Sequence, residues 1–444
     1  MSSVVVVGGG YGGMAAAVRL AKLGHEVTLI DARGELGGAM GTIERDGFVW
    51  ETGPTYTLLP AVVRDLFRKS GRPLERELDV VPVGPARQHR FAINAKGKHA
   101  EQVQLDMPAG SRAEQLSAVT EAFGEQAAQA WVGYVDQFTD VWEHLRRDLF
   151  ERPWSDSQAG KESRELIASR LTLDKLVQRD LKKDRRLQQI ATFAATMDGL
   201  TLRDAPAWLG VWSYLEQNFG VWTAPGGMHT LTDALTDRLA TRGVTVRTGV
   251  EAADLEMENG RVRAVRTTSG EVLDADHVVV AIDPRRLPVL AGHVAATMPA
   301  IPPVVCHIGI VGEVPELPHE VVIHGDPLLV LRTGGRAPDG AHAWTILGRG
   351  KIAEDIVTAL HRTGLRIRDQ VEVRVDRSPR DLVEQWHGSP YGVLWQGRRT
   401  FTRMLGPRTP YDGVYVAGAH SPLGPGLPSV GLSSALVAQL IGPA

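Results

Sequence analysis

The stretch "SVVVVGGGYGGMAAAVRLAKLGHEVTLIDA", residues 3–32, decides the architecture. Residues 4–7 are consecutive valines, a β-branched run suited to a strand covered on both faces. Gly8, Gly10 and Gly13 follow with the spacing G-x-G-x-x-G, and Tyr11 and Gly12 share that turn. Gly8 permits the tight turn, Gly10 lets backbone approach a pyrophosphate, and Gly13 lets a helix pack closely on the strand. Residues 14–23 are expected to continue as a helix whose N-terminal N–H groups face phosphates. "HEVTLID" (25–31) is a second strand, ending in Asp31, 18 residues after Gly13. A carboxylate there can accept hydrogen bonds from ribose hydroxyls and would repel a 2′-phosphate, which disfavours NADP. Strand, glycines, helix, strand and acid in this order predict one dinucleotide site.

The next segment, "ARGELGGAMGTIERDGFVWETGPT" (32–55), separates FAD from NAD. A glycine pair, Gly37 and Gly38, follows the acid by six residues, and a hairpin-like stretch then leads to Gly53, Pro54 and Thr55. This pattern resembles flavoproteins of the glutathione-reductase-like fold, whose extra loop lies along the pyrophosphate and ribityl chain of FAD. The resemblance implies FAD as cofactor, with contacts from Ala32 and Arg33 beside Asp31, from Ala39 and Met40 after the glycine pair, and from residues 53–55. It also implies that backbone at Val250 and Ala252 brackets the adenine, with Ala281 at the end of a closing strand. The C-terminal "GVYVAGAHSPLGPGLPSVGLSSALVAQLIG" (413–442) reads as strand, glycine–proline loop and helix. Gly418, Ala419, Gly426, Leu427, Pro428 and Val430 would then meet the isoalloxazine, where a helix N-terminus favours the negative charge of reduced flavin.

The expected fold class is α/β with an α+β substrate part. A discontinuous Rossmann-like FAD-binding domain is expected over 1–85, 225–295 and 385–444. A mixed-sheet substrate-binding domain is expected over 86–110, 205–224 and 296–384, with a helical insertion over 111–204. Residues 243–283 alternate strand-like runs with turn signals at Asn259-Gly260 and Ser269-Gly270, which predicts a returning strand, a meander and a closing strand at 278–282. Within the insertion, Leu166, Leu173, Val177 and Leu181 are spaced to lie along one helix face.

Composition narrows the function. A length of 444 residues implies more than one domain. A formal net charge of −3 with no basic tail argues against a nucleic-acid partner. A single cysteine, Cys306, excludes an internal disulfide and any multi-cysteine metal site. The 14 histidines show no metal-ligand spacing, so no metal is expected. The N-terminus reads as strand rather than signal peptide, and no long apolar run occurs, so a cytoplasmic protein is expected, with peripheral membrane contact open.

Four blocks carry a closer resemblance: the N-terminal segment through "ETGPT", "YLEQNFGVWTAPGGMHTLTDAL" (214–235), "RTGGRAPDGAHAWTIL" (332–347) and "GPGLPSVGLSSA" (424–435). Together they resemble the bacterial carotenoid (phytoene) desaturase and isomerase family, within the amine oxidase superfamily. That resemblance implies an FAD-dependent oxidoreductase acting on a long apolar polyene or isoprenoid, by desaturation or flavin-assisted isomerisation. Hydride would pass to flavin N5, and oxygen or a quinone would reoxidise the cofactor. The family's desaturases usually carry arginine directly after the glycine pair; here Ala39 stands there, and Arg33 or Arg45 is the candidate replacement cation. The chain is also shorter than typical members.

The loop "GPTYTLLP" (53–60) holds no acid, base or thiol. Beside a flavin, Leu58 and Leu59 suit a hydrocarbon, and the same loop also serves as a turn shielding the cofactor. Trp208, Trp212, Leu215 and Phe219 share a face at helical spacing; Trp208, Trp212, Trp222 and His229 are the remaining substrate candidates, against ordinary core packing. No catalytic acid or base is singled out. Glu216 is a candidate that also reads as a salt-bridged structural carboxylate, and His420 a candidate that also reads as a loop-ordering residue. An amine oxidase and a non-catalytic prenyl-binding escort on the same fold are the rival readings.

Overall fold

The computed structural model describes residues 1–93, 101–182 and 184–444. Positions 94–100, inside the expected 86–110 segment, and 183, inside the expected insertion, lie outside the described residues. β1 (Ser3–Val7) occupies the centre of a five-stranded parallel sheet. β2 (Glu26–Asp31) and then strand Thr245–Thr248 flank it on one side, His277–Val280 and Val414–Val416 on the other. The valine run is explained by what covers it. Val4 and Val6 face a core with α1 (Tyr11–Lys22), while Val5 and Val7 face a core built on the meander of residues 252–274. Each fully buried valine contributes about 1.5–3 kcal/mol, so both faces of this strand anchor the domain.

α1 starts at Tyr11, earlier than the expected 14, because Gly10 already caps it. The closing strand is shorter than expected, His277–Val280, and Ala281 and Ile282 turn into the loop above the sheet. The hairpin of β3 (Thr42–Arg45) and β4 (Phe48–Glu51) turns at Asp46-Gly47, both at positive φ. α2 (Pro60–Ser70) follows the 53–60 loop.

A second sheet has seven strands in the order 371–377, 304–311, 341–349, 328–335, 320–324, 87–93 and 101–107. It is antiparallel except for the parallel pairing of 320–324 with 87–93. Cys306 is buried in this sheet, and burial pushes its thiol well above the ordinary range.

A helical part comprises α3 (Arg112–Phe123), which packs on strand 101–107, α4 (Glu125–Asp136), α5 (Phe138–Leu145), α6 (Lys161–Ala168), α7 (Leu173–Asp180), α8 (Arg185–Met197) and α9 (Val211–Phe219). Two expectations are corrected here. Leu166 and Leu173 do not share one helix, because Ser169 leaves the helical conformation at ψ 143 and Thr172 caps a new helix. The helical part also runs on to Phe219 rather than ending at 204: Trp208, Val211 and Leu215 belong to the same apolar core as Tyr134 and Phe138. Among the described residues no helix is long and apolar enough to cross a membrane.

Three buried histidines make this architecture acid-sensitive. His89 Nδ1 lies 2.8 Å from His324 Nε2 across the second sheet, and His307 Nδ1 lies 2.9 Å from Thr345 Oγ1. Burial pushes His324 down to about 3, and burial with nearby Arg377 and Arg332 pushes His307 down to about 4; burial, His324 and Arg87 act on His89 in the same direction. The folded state therefore holds these rings neutral, while below the ordinary value near 6.5 the unfolded chain takes up their protons. Stability is expected to fall as pH drops from about 6.5 towards about 4, by about 3 kcal/mol through His307 alone. Urea unfolding at about pH 7.5 and about pH 5 measures this; equal midpoints would refute it.

Candidate active site

The C-terminal ends of the parallel strands open into one cavity of about 430 Å³. That lies within the roughly 300–1,000 Å³ of an ordinary ligand pocket, and its lining runs on from the glycine turn to residues of the helices and of the second sheet.

Its inner end is built by the glycine turn. α1 begins at Gly10 with no side-chain cap and no acid in its first turn, leaving its N–H groups facing a ligand position. Gly13 does not face the cavity: a Cβ there would lie 1.8 Å from the Gly8 carbonyl oxygen, so its role is the close helix–strand contact. The loop after β2 is laid across the same turn, with Gly37 N–H donating to Gly9 O at 2.8 Å. Gly38, at φ 59, sits so close to Gly10 that an added Cβ would be 3.0 Å from its Cα. Asp31 accepts from Gly9 N–H at 2.6 Å and from Arg33 N–H at 2.7 Å, and its edge of the cavity continues to Val250, Ala252 and Arg286.

Of the expected cofactor contacts, Gly8, Gly10, Tyr11, Gly12, residues 31–33, 37–40, Gly53 and Pro54 border this one cavity. Val250, Ala252, Ala281, Gly418, Ala419, Gly426, Leu427, Pro428 and Val430 border it from the other segments. Thr55 does not; it is buried behind the wall, its carbonyl accepting from Thr223 Oγ1 at 2.9 Å. Arg33 donates to Gly38 O at 2.6 Å and lines the cavity beside Ala39, whereas Arg45 is exposed, 3.8 Å from Asp46. Of the two candidate cations Arg33 alone borders the cavity, with its guanidinium also paired to Glu35.

The outer end mixes apolar and charged walls. Leu58, Ile190, Phe193, Met197, Leu209 and Trp212 line it. Leu59, Trp208, Trp222 and His229 do not reach it. Leu59 caps α2 inside the helical core, and Trp208 packs edge-on against Trp395 at 5.5 Å. Trp222 lies by Arg64, and His229 N–H donates to Glu51 at 2.9 Å. The shared tryptophan face fails because residues 207–210 form a 3₁₀ turn, and Phe219 is exposed.

Glu216, a sequence candidate that also reads as a salt-bridged carboxylate, borders the same space in a paired set with Arg87, Glu320 and Arg332, which sequence reasoning missed. Arg87 bonds Glu216 at 2.5 Å and Glu320 at 3.1 Å; Arg332 bonds Glu320 at 3.1 Å and Gly53 O at 3.1 Å. Burial alone would raise the Glu320 carboxyl, but Arg332 and Arg87 hold it below the ordinary range. Glu216 is therefore an ion-paired carboxylate. His420 borders the cavity, but its Nε2 donates to Ser389 O at 3.0 Å and its Nδ1 faces Arg285 at 3.4 Å. Burial, with Arg285 and against Asp283, keeps that ring neutral, and both nitrogens serve to tie loops together.

An uncapped helix start on a glycine turn, a carboxylate at the end of β2 and a largely apolar cavity over the ends of a parallel sheet fit an FAD-dependent oxidoreductase. Residues 11–304 match the family described as flavin containing amine oxidoreductase, and residues 176–440 match FAD dependent oxidoreductase. The chain belongs to the flavin-containing amine oxidoreductase family. It is 28% identical to a hydroxyneurosporene desaturase of Cereibacter sphaeroides, covering 99% of this chain and 97% of that protein. It is 27% identical to a phytoene dehydrogenase of Streptomyces griseus, covering 99% and 94%. A putrescine oxidase solved with putrescine bound has the same fold, with a TM-score of 0.72, 16% identity and coverage of 99% and 98%.

Proposed function

We propose that this enzyme desaturates or isomerises a long apolar polyene. The carrying observation is the continuity of the cavity: one space runs from the glycine turn and Asp31 to the chamber of Leu58, Ile190, Phe193, Met197, Leu209 and Trp212. The relatives, a hydroxyneurosporene desaturase and a phytoene dehydrogenase, support the same substrate class. In this reading the parallel-sheet segments form the discontinuous cofactor domain, and the seven-stranded sheet and helices form the substrate side.

The N–H groups of α1 and the backbone at Gly37–Gly38 would hold the pyrophosphate, and Asp31 the ribose. Gly53, Pro54 and the start of helix Leu427–Ile441, uncapped and without an acid in its first turn, would flank the ring. When bound, FAD supplies the hydride-accepting ring. The apolar wall excludes water and lays the substrate chain along the chamber. Arg87, Glu216, Glu320 and Arg332 neutralise one another, so their charge does not repel a hydrocarbon. Oxygen or a quinone is the proposed electron acceptor. A cytoplasmic setting with peripheral membrane contact is proposed because so apolar a substrate partitions into lipid.

The test is anaerobic mixing of the purified holoenzyme with acyclic polyenes, prenyl lipids and amines while following flavin absorbance. Bleaching by polyenes, or altered polyene geometry without bleaching, supports desaturation or isomerisation respectively. Bleaching by amines alone would overturn the proposal.

A further inference from the structure

Six carboxylates border the cavity among the described residues, and five have partners. Asp31 is held by backbone N–H groups, Glu216 and Glu320 by the buried arginines, Glu251 by Arg286 and Asp283 by Arg285. Asp198 is the exception. It closes α8 at φ −72, ψ 0, directly after the cavity-lining Met197. Among the described residues its carboxylate makes no hydrogen bond, and no cationic nitrogen lies within 4.0 Å of it. Arg349, the cation that acts on it, spends its guanidinium elsewhere. It donates to Met197 O at 2.6 and 3.0 Å and to Ile301 O at 2.5 Å, and lies 5.3 Å over the Tyr391 ring.

The Asp198 side chain is part-exposed to the cavity and among the described residues no protein group completes it, so its carboxyl is free to meet a ligand group there. Burial raises this one to about 7, against the opposing pull of Arg349. Near neutrality it is therefore held partly as the acid, which both donates and accepts. A hydroxyl matches that pattern; an ammonium would instead require the fully ionised form.

Resting on the polyene reading above, we infer that Asp198 receives a hydroxyl substituent of the substrate and sets a preference for hydroxylated over purely hydrocarbon polyenes. It is a specificity residue, apart from the hydride-accepting step.

The experiment compares a monohydroxylated acyclic polyene with the hydrocarbon of equal chain length. Binding to the holoprotein is followed by quenching of tryptophan fluorescence, Trp131 and Trp212 being in the wall. Wild type should bind the hydroxylated compound about tenfold more tightly, the size of one hydrogen bond to a carboxyl. Asp198→Leu should bring that ratio to about one while leaving hydrocarbon affinity equal or better, and Asp198→Asn, which still donates and accepts, should keep most of it. Flavin content and melting temperature of both variants verify folding. A ratio unchanged in Asp198→Leu, or near one in wild type, overturns the inference and leaves the polyene proposal standing. Binding of neither polyene, with amines bound through Asp198, overturns both.

Discussion

Replacing Glu320 by alanine is expected to destabilise the protein by about 3–5 kcal/mol, the cost of leaving buried guanidinium groups without their anion. Glu320 is 1% exposed, and each of its oxygens accepts from a different arginine. Arg87 keeps Glu216 after the substitution, but Arg332 keeps only the Gly53 carbonyl. The double variant Glu320→Ala/Arg332→Met should recover part of the loss, because deleting both members of a pair removes the stranded charge. Urea unfolding of wild type, single and double variants measures both quantities. A single variant within about 1 kcal/mol of wild type would show that water screens the set, as it does exposed pairs. Because Arg332 reaches Gly53, the single variant should also loosen the loop that flanks the ring position.

Gly13→Ala should abolish flavin retention. Its methyl would sit 1.8 Å from the Gly8 carbonyl oxygen and 3.2 Å from Ala281 Cβ. The first obstacle is backbone, so α1 itself must move away from β1. Such overpacking costs about 3 kcal/mol or more. Expressed as lost cofactor affinity, that is a factor of about 100. The displacement opens the turn whose N–H groups face the phosphates, so the protein should purify colourless and regain little colour with added FAD. Gly34→Ala is the control, since its added methyl meets nothing within 4 Å. Yellow Gly13→Ala protein with unchanged flavin content would remove the close-packing role assigned to this glycine.

The sequence was most legible where one short segment carries the whole physical reason. Four valines must be covered twice, and the glycine spacing admits one turn geometry; both lie within residues 3–13. The turn at Asn259-Gly260 was equally readable, and both residues adopt positive φ. Legibility ends where the reason is spread across the chain. Arg87, Glu216 and the cross-strand pair Glu320–Arg332 come from three distant segments, so no short window contains the whole set that makes their burial tolerable. The tryptophan stripe misled because its period assumed an α-helix through a 3₁₀ turn, and Leu166 misled because spacing alone cannot register the break at Ser169. Asp198 lies in "TMDGL", which carries no motif; only the wall around it reveals that it lacks a partner.

The order of strands in the parallel sheet has a consequence for how the protein is made. The central strand β1 is made well before its neighbour on one side, residues 277–280, and before the outermost strand beyond that, 414–416. The glycine turn is thus made long before its far wall, which comes only when Gly418 and the helix from Leu427 emerge. Through most of translation β1 has an unsatisfied edge. Cofactor capture therefore waits until Gly418 and the helix from Leu427 have been made.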